Sequence, residues 1–202
     1  LHEIATEKGF SPSSLTNYIR NPLQFYMQRI LRINEADEVE ENIAVNTLGT
    51  IIHNALEELY TPYLNQYLAL HHIETMETKI DEVILKHFKE IYKEGEITKG
   101  KNLLAFEVAK RNVYNFLQLE KKDIEEGQAI KVVLLEASLS CEIEVKSLPF
   151  PIKIAGKVDR IEERNGAIRI IDYKTGKVLG KSLKINDFTD LTTDIKNEKI
   201  IQ

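Results

Sequence analysis

The sequence predicts a mixed α/β fold of the α+β type, in which a helical N-terminal part precedes a small sheet. Apolar residues recur at helical spacing through most of residues 1–126. From about residue 129 the pattern changes to alternating apolar and polar residues that are rich in β-branched types. An Asn-Gly pair separates two of the alternating runs and marks a hairpin. Helices followed by strands are typical of a fold in which a helix covers one face of the sheet.

The helical part contains two short helices followed by three long ones. Ser11-Pro12 and Asn21-Pro22 each combine a capping residue with proline at the first helical position, which marks two helix starts. Residues 34–46 are acidic and polar and are predicted to form a loop. Apolar stripes predict the three long helices, over 47–70, 75–94 and about 100–125.

Three strands are predicted next, over about 130–145, 152–162 and 167–174. Pro149 and Pro151 separate the first two strands. Asn165 and Gly166 are predicted to form a two-residue type I′ turn, because both central residues of that turn need positive φ. After Gly176 the chain is predicted to be loop-like, with a further element near 187–202.

Length and composition are those of one soluble globular domain over residues 1–202, with 43% hydrophobic and 29% charged residues. The single cysteine, Cys141, excludes an intrachain disulfide and an all-cysteine metal site within one chain. No apolar run reaches membrane-spanning length and no signal-peptide pattern is present, so a cytoplasmic location without a membrane partner is expected. The chain begins at Leu1 and ends at Gln202, and we expect it to be part of a longer protein.

The charge is unevenly distributed along the chain. The formal net charge is −5, yet residues 146–184 carry ten Lys or Arg and only four acids. A local basic surface of this kind favours a polyanionic substrate. Surface strands also carry lysine for solubility alone, and the charge pattern by itself leaves that alternative open.

The hairpin register brings two aspartates together. If Asn165 and Gly166 form the turn, counting outward pairs Asp159 with Asp172, with Cβ atoms roughly 5 Å apart. Like charges directly opposite each other destabilise a sheet, so the pair is predicted to hold a divalent cation. Lys174 lies two residues beyond Asp172 and therefore on the same face.

These three side chains suit metal-assisted hydrolysis of a phosphodiester. Carboxylates are the ligands that Mg²⁺ or Mn²⁺ prefer, and Lys174 can hold a water or a phosphate oxygen. The alternative is a surface ion pair between Asp172 and Lys174, which is the better interpretation of an isolated Asp-x-Lys. The register of Asp159 and the local positive charge favour the functional interpretation.

Other candidate ligands are less distinctive on the residues alone. His53 and Glu57 are spaced i,i+4 on the predicted 47–70 helix and share a face. A lone histidine on a helix is more often capped or solvated than a ligand. Glu136, on the first predicted strand, is a candidate auxiliary acid, as is Glu57, although a solvated strand glutamate is the commoner case.

The sequence resembles the PD-(D/E)XK nuclease superfamily, specifically its RecB-like branch with the RecB and AddB nuclease domains. The matching segments occur in the order of that family: Ser11-Pro-Ser-Ser-Leu15, Arg20-Asn-Pro-Leu-Gln-Phe-Tyr26, Leu48-Gly-Thr-Ile-Ile-His53, Gly156-Lys-Val-Asp-Arg160 and Ile171-Asp-Tyr-Lys-Thr-Gly176. The resemblance implies a restriction-endonuclease-like core with a small mixed sheet. In this plan a mainly helical part, 1–126, carries His53, and a β-rich part, 127–202, is C-terminally incomplete.

The resemblance also implies roles for individual residues. It implies a metal held by His53, Asp159, Asp172 and the backbone carbonyl of Tyr173, with Lys174 positioning the attacking water. The basic residues Arg160 and Lys177 are predicted DNA contacts. Gln202 corresponds to the first residue of a DNA-contacting motif of the family. Where several relatives carry an iron–sulfur cysteine this chain has Asn21, so no iron–sulfur cluster is expected.

The leading hypothesis is a Mg²⁺- or Mn²⁺-dependent deoxyribonuclease that acts on single- or double-stranded DNA. It would belong to a helicase–nuclease or a DNA repair and recombination protein and act as an exonuclease or an endonuclease. A helicase domain or subunit is the expected partner. The alternative is a catalytically inactive DNA-binding or scaffolding module of the same fold. A third hypothesis, an enzyme for a small phosphorylated ligand, is disfavoured because the sequence has no glycine-rich phosphate loop.

Overall fold

A computed structural model of the chain describes residues 2–33, 43–92 and 99–176. Within these ranges the α-helices are α1 (Pro12–Arg20), α2 (Pro22–Phe25), α3 (Val45–Tyr60), α4 (Leu70–Ile91) and α5 (Gly100–Glu125). The strands are β1 (Ile130–Ile143), β2 (Ile152–Arg164) and β3 (Ala167–Ile171). Two π-helical turns, Ile4–Lys8 and Tyr26–Ile30, and a 3₁₀ turn, Thr61–Tyr63, complete the secondary structure. None of these helices is long and apolar enough to cross a membrane.

The chain divides into two compact units, which we call the core unit and the N-terminal unit. The core unit comprises Val39–Ala137 and Val158–Gly176. The N-terminal unit comprises Leu1–Glu38, Ser138–Lys157 and Lys177–Gln202. The predicted element near 187–202, together with Lys177 and Gln202, lies outside the described residues.

The core unit is built on α3, α4 and α5, whose apolar stripes pack against one another as their periodicity predicts. Fully buried side chains from all three helices form this core, among them Ile51, Ala55, Ile73, Ile84, Val113 and Leu117. Buried residues at the start of β1, Ile130 and Val132, extend the core to the sheet. The mixed α/β class predicted from the sequence is confirmed.

One predicted helix is shorter than expected. The helix predicted over 47–70 ends at Tyr60 and continues only as the 3₁₀ turn that contains Pro62. Proline removes a backbone donor and restricts the residue before it, which explains the early end. The chain then runs beside β1, where Leu68 N–H donates to the carbonyl of Ile130 at 2.8 Å. Helix α4 begins at Leu70, five residues before the predicted position.

In the N-terminal unit, both predicted helix starts are confirmed. Ser11 and Ser14 form a reciprocal capping box at α1, with N–H to Oγ distances of 2.9 and 3.1 Å. Asn21 Oδ1 accepts a hydrogen bond from Gln24 N–H at 3.1 Å and caps α2. Proline occupies the first position of each helix, where its missing N–H leaves no helical bond unmade.

The hairpin between β2 and β3 has the predicted register. The strands pair antiparallel from Arg164↔Ala167 to Arg160↔Ile171, and β2 is the central strand of the order β1-β2-β3. Asn165 and Gly166 have φ values of 52° and 81°, as a type I′ turn requires. Strand β3 ends at Ile171, so Asp172 lies one residue beyond the last strand pair.

Replacing Gly166 with alanine is expected to destabilise the chain by about 1 kcal/mol, because a side chain at φ 81° is strained. Urea unfolding measures the loss directly. The matched variant Gly166→Asn should lose less, because asparagine tolerates the left-handed region better than alanine. Equal stability of the alanine variant and the wild type would contradict the turn assignment.

Candidate metal centre

Three potential metal ligands converge in the core unit. His53 from α3, Glu136 from β1 and Asp159 from β2 each offer one ligand atom, and these atoms lie within 4.8 Å of one another. His53 Nδ1 is 3.4 Å from Glu136 Oε1 and 3.6 Å from Asp159 Oδ1. All three side chains are largely shielded from solvent, with exposed fractions of 25%, 10% and 15%.

The second ring nitrogen of His53 fixes which atom faces the carboxylates. His53 Nε2 lies 3.0 Å from the backbone carbonyl oxygen of Tyr173. A carbonyl oxygen can only accept, so Nε2 carries the hydrogen of this bond. Nδ1 is then the nitrogen directed at Glu136 and Asp159. A hydrogen bond on the far nitrogen is the usual way in which proteins orient a metal-binding imidazole.

Glu136 reaches the cluster through an unusual backbone conformation within β1. Its φ is +45°, in the left-handed region that few residues other than glycine adopt. Such a distortion in a strand redirects a side chain, and strained residues of this kind concentrate at functional sites. The backbone of β1 therefore turns an acidic side chain toward His53.

Asp159 is held by the chain that leaves β3. Its Oδ2 accepts a hydrogen bond from Tyr173 N–H at 2.6 Å, which leaves Oδ1 directed at His53. Burial raises the pKa of the Asp159 carboxyl, and the nearby Asp172 and Glu136 carboxylates add to this effect. The Tyr173 N–H and the His53 ring oppose it. A cation bound at this point would relieve the electrostatic strain.

Tyr173 connects the two sides of the cluster. Its N–H binds Asp159 and its carbonyl binds His53, while its ring is buried at 9% exposure. The ring lies edge to face with His53 and with Phe116, with centroids 5.6 and 5.2 Å apart. The residue thus fixes both potential ligands through its backbone and is itself fixed by aromatic packing.

The structure does not bring every predicted site residue into the cluster. Asp172 and Lys174 lie on the solvent side of the β3 exit and bind each other, with Lys174 Nζ 2.9 Å from Asp172 Oδ2. Their side chains are 55% and 51% exposed. The ligand group found among the described residues does not include Asp172 or Glu57. The strand ladder ends at Arg160↔Ile171, so the predicted pairing of Asp172 opposite Asp159 is not part of it.

The predicted role of Arg160 as a DNA contact requires correction. Arg160 is completely buried, with its Nη2 atom 2.5 Å from Glu120 Oε1 and 2.5 Å from Glu162 Oε2. Its guanidinium also lies 4.7 Å from the ring centroid of Tyr60. On β2 the side chains alternate, so Arg160 points into the core while Asp159 points to the cluster. A phosphate cannot reach this guanidinium in the described structure.

Glu136 is more prominent in the structure than its sequence pattern alone predicts, although the sequence does contain a signal for it. At the start of β1, Ile130 and Val132 are fully buried, whereas Leu134 is 40% exposed and Leu135 packs against the core. In the sequence Glu136 directly follows the apolar run 132–135, where an acid is unusual. Ionisable residues on a core-facing position are uncommon unless they are paired or bind a metal.

The donor set fits a divalent metal ion. One imidazole nitrogen and two carboxylate oxygens combine hard oxygen ligands with the histidine that transition-metal ions accept. The Tyr173 carbonyl, a predicted ligand, instead accepts the hydrogen bond of His53 Nε2 on the far side of the ring in the described structure. Mn²⁺ and Mg²⁺ both suit such a set. The remaining positions of the ion would be available to water or substrate.

The fold is that of a nuclease-like core with a candidate metal site, and sequence comparison identifies the family. Residues 9–195 match the PD-(D/E)XK nuclease superfamily. The chain belongs to this superfamily.

The chain is also similar to uncharacterized proteins of several Rickettsia species. It is 24% identical to one from Rickettsia conorii, 25% identical to one from Rickettsia typhi and 27% identical to one from Rickettsia bellii. These alignments cover 88%, 88% and 87% of this chain. The chain spans about a fifth of the length of the relatives it matches, 20% in each case.

Proposed function

We propose that the chain is a metal-dependent deoxyribonuclease domain of the RecB-like branch, which hydrolyses DNA phosphodiester bonds with Mg²⁺ or Mn²⁺. The observation that carries the proposal is the convergence of His53, Glu136 and Asp159 in a chain of a nuclease superfamily. Apart from the buried Arg160, the basic residues of the stretch 146–184 support a polyanionic substrate.

The cluster would hold the ion through His53 Nδ1 and the carboxylates of Glu136 and Asp159. A bound divalent cation supplies Lewis acidity and lowers the pKa of a coordinated water. The chain contributes orientation: Tyr173 fixes the imidazole through its carbonyl and the Asp159 carboxylate through its N–H. Burial of Glu136 and Asp159 strengthens their electrostatic influence on bound groups.

Lys174 supplies a positive charge at the rim of this site. In the described structure its ammonium is neutralised by Asp172, 2.9 Å away. We propose that substrate or metal draws Asp172 toward the cluster and releases Lys174 to bind the attacking water or a phosphate oxygen. Both side chains are about half-exposed, so they can rotate while the backbone of Tyr173 between them stays in place. Asp172 would then join His53 and Asp159 as a ligand.

The wider setting is also part of the proposal. We propose that the domain serves a helicase–nuclease or a DNA repair and recombination protein, in which a helicase domain or subunit delivers DNA. The much greater length of the Rickettsia relatives is compatible with additional domains of this kind.

Lys174→Ala is expected to lower DNA cleavage by about 100-fold or more while leaving the fold intact, because the side chain is half-exposed and acts only on the reaction. Cleavage of end-labelled single- and double-stranded linear DNA with Mn²⁺ or Mg²⁺ measures the change. The control Lys101→Ala removes an exposed lysine from α5 and should cleave like the wild type.

The same assay tests the proposed function itself. Metal-dependent cleavage by the wild type that is lost in Lys174→Ala supports it, and the pattern of products shows whether cutting starts from ends. Absence of cleavage with every metal, in a chain that still binds DNA, would favour the non-catalytic binding module instead.

A further inference from the structure

The N-terminal unit contains a small basic pocket that is separate from the metal cluster in sequence. Three cations line it: Lys8 from the first π-helical turn, and Arg29 and Arg32 from the second turn and its end. Phe10 and Phe25 supply the apolar part of the lining. The pocket has a volume of about 190 Å³, and no acidic side chain is among its lining residues.

The positive charge of the pocket is only partly neutralised. Glu3 pairs through one oxygen with both Lys8 and Arg32, at 3.0 and 3.7 Å. Among the described residues, no carboxylate forms an ion pair with Arg29. Within the described residues one negative charge therefore faces three positive charges, which makes the pocket attractive to an anion.

The backbone that carries these cations is fixed by several contacts. Phe10 bridges to β2, with its N–H 2.9 Å from the Lys153 carbonyl and its carbonyl 2.9 Å from the Ala155 N–H. Gly9 has a φ of +84°, and a Cβ there would lie 2.9 Å from that of Ala155, so only glycine fits. These contacts hold the end of the turn that carries Lys8.

Arg32 is also placed by its backbone. Its φ of +57° lies in the left-handed region, just after the second π-helical turn. Chains commonly adopt this conformation after a helical segment, and glycine is the residue that favours it. With this conformation Arg32 lines the pocket at the end of the turn. A glycine at this position can keep the same backbone conformation while removing the guanidinium, so Arg32→Gly tests the role of the side chain.

Size and charge select the kind of ligand. Pockets for whole small molecules usually measure roughly 300–1,000 Å³, so this one suits a single anionic group. Guanidinium groups match phosphate oxygens geometrically and bind them through paired charge-assisted hydrogen bonds. A phosphate monoester carries about −1.5 to −2 charges, more than a diester, and is attached to the strand on one side only.

We propose that this pocket binds the terminal phosphate of a nucleic-acid strand. The proposal rests on the proposed function for its substrate class, but the binding it describes does not require cleavage. An internal phosphodiester is joined to sugars on both sides and enters a concave pocket less readily. The pocket would therefore distinguish a phosphorylated strand end from an unphosphorylated one.

Fluorescence anisotropy with short single-stranded oligonucleotides tests this without divalent metal, in EDTA. The oligonucleotides carry a 5′-phosphate, a 3′-phosphate or no terminal phosphate. For the wild type we expect one phosphorylated end to bind on the order of tenfold more tightly than the unphosphorylated strand. Inorganic phosphate should compete with that end and not with the unphosphorylated strand.

Two variants and one control locate the effect. Arg32→Gly and Arg29→Gln should each abolish the preference for the phosphorylated end. Arg111→Gln, which removes an exposed arginine on α5, should retain it. Equal wild-type affinity for all three oligonucleotides, or a preference that survives in both pocket variants, would overturn the proposal.

The two proposals fail in different assays. If the chain prefers phosphorylated ends but cleaves no DNA, the proposed pocket is supported and the proposed nuclease function is refuted. If the chain cleaves DNA with Mn²⁺ but binds all ends equally, the nuclease function is supported and the proposed pocket is refuted.

Discussion

Replacing Asp159 with asparagine is expected to lower metal-dependent cleavage by at least about 100-fold, the scale on which removing one preorganised group weakens catalysis. Asp159 lies between His53 Nδ1 and the N–H of Tyr173, at 3.6 and 2.6 Å. An asparagine oxygen can still accept the hydrogen bond from Tyr173, so the backbone should keep its course. The negative charge that would hold the ion is lost.

Three measurements separate this effect from unfolding. Mn²⁺ affinity by calorimetry should fall on the order of 10- to 100-fold, thermal unfolding should change little, and cleavage should be lost. Asp81→Asn is the matched control, because Asp81 is 73% exposed and pairs with Lys110 on the surface. Unchanged Mn²⁺ affinity in the Asp159 variant would show that Asp159 is not a metal ligand.

Replacing Arg160 with methionine is expected to destabilise the chain by roughly 3–5 kcal/mol, the typical effect of removing one partner from a buried ion pair. The change leaves Glu120 buried at 2% exposure without its cation, whereas Glu162, at 0% exposure, keeps its ion pairs with Arg164 and Arg169. Glu120 also accepts a hydrogen bond from the Tyr60 hydroxyl, so the disturbance reaches α3. Burial by itself lowers the pKa of Arg160, but the Glu120 carboxylate and the other groups around the guanidinium raise the pKa overall.

Chemical denaturation of Arg160→Met measures the loss. Burial already raises the pKa of Glu120 in the wild type. A carboxyl with a raised folded-state pKa binds its proton more tightly when folded, so the variant should regain stability as the pH falls from 7 toward about 4.3. Adding Glu120→Gln and Glu162→Gln should restore part of the stability at pH 7. Arg111→Met, an exposed control on α5, should lose little. A loss below about 1 kcal/mol in Arg160→Met would contradict the role assigned to the buried network.

The elements that the sequence predicts well depend on local chemistry. The Asn165-Gly166 turn needs positive φ at both residues, and this requirement alone sets the register of β2 and β3. Helix α5 has the predicted bounds because its apolar stripe is long and uninterrupted. The helix caps at Ser11 and Asn21 can be predicted because each is a capping residue followed directly by proline.

The features that sequence reasoning missed depend on contacts between distant elements. The left-handed backbone at Glu136 is not encoded by glycine, so the residue type gives no warning of it. Arg160 carries the same charge as a DNA-binding arginine, and the approach of Glu120, 40 residues away, helps to make it a core residue. The meeting of Asp159 with the N–H of Tyr173 follows from the end of β3 at Ile171, which strand propensity does not define to one residue.

The central claim is that His53, Glu136 and Asp159 form a metal centre, and Mn²⁺ located by anomalous diffraction in crystals of this chain tests it most directly. The account predicts one strong peak about 2.0–2.3 Å from His53 Nδ1 and from a carboxylate oxygen of each of the two acids. If crystals with saturating Mn²⁺ show no peak between these three side chains, or show the ion bound elsewhere in the core unit instead, the claim is wrong.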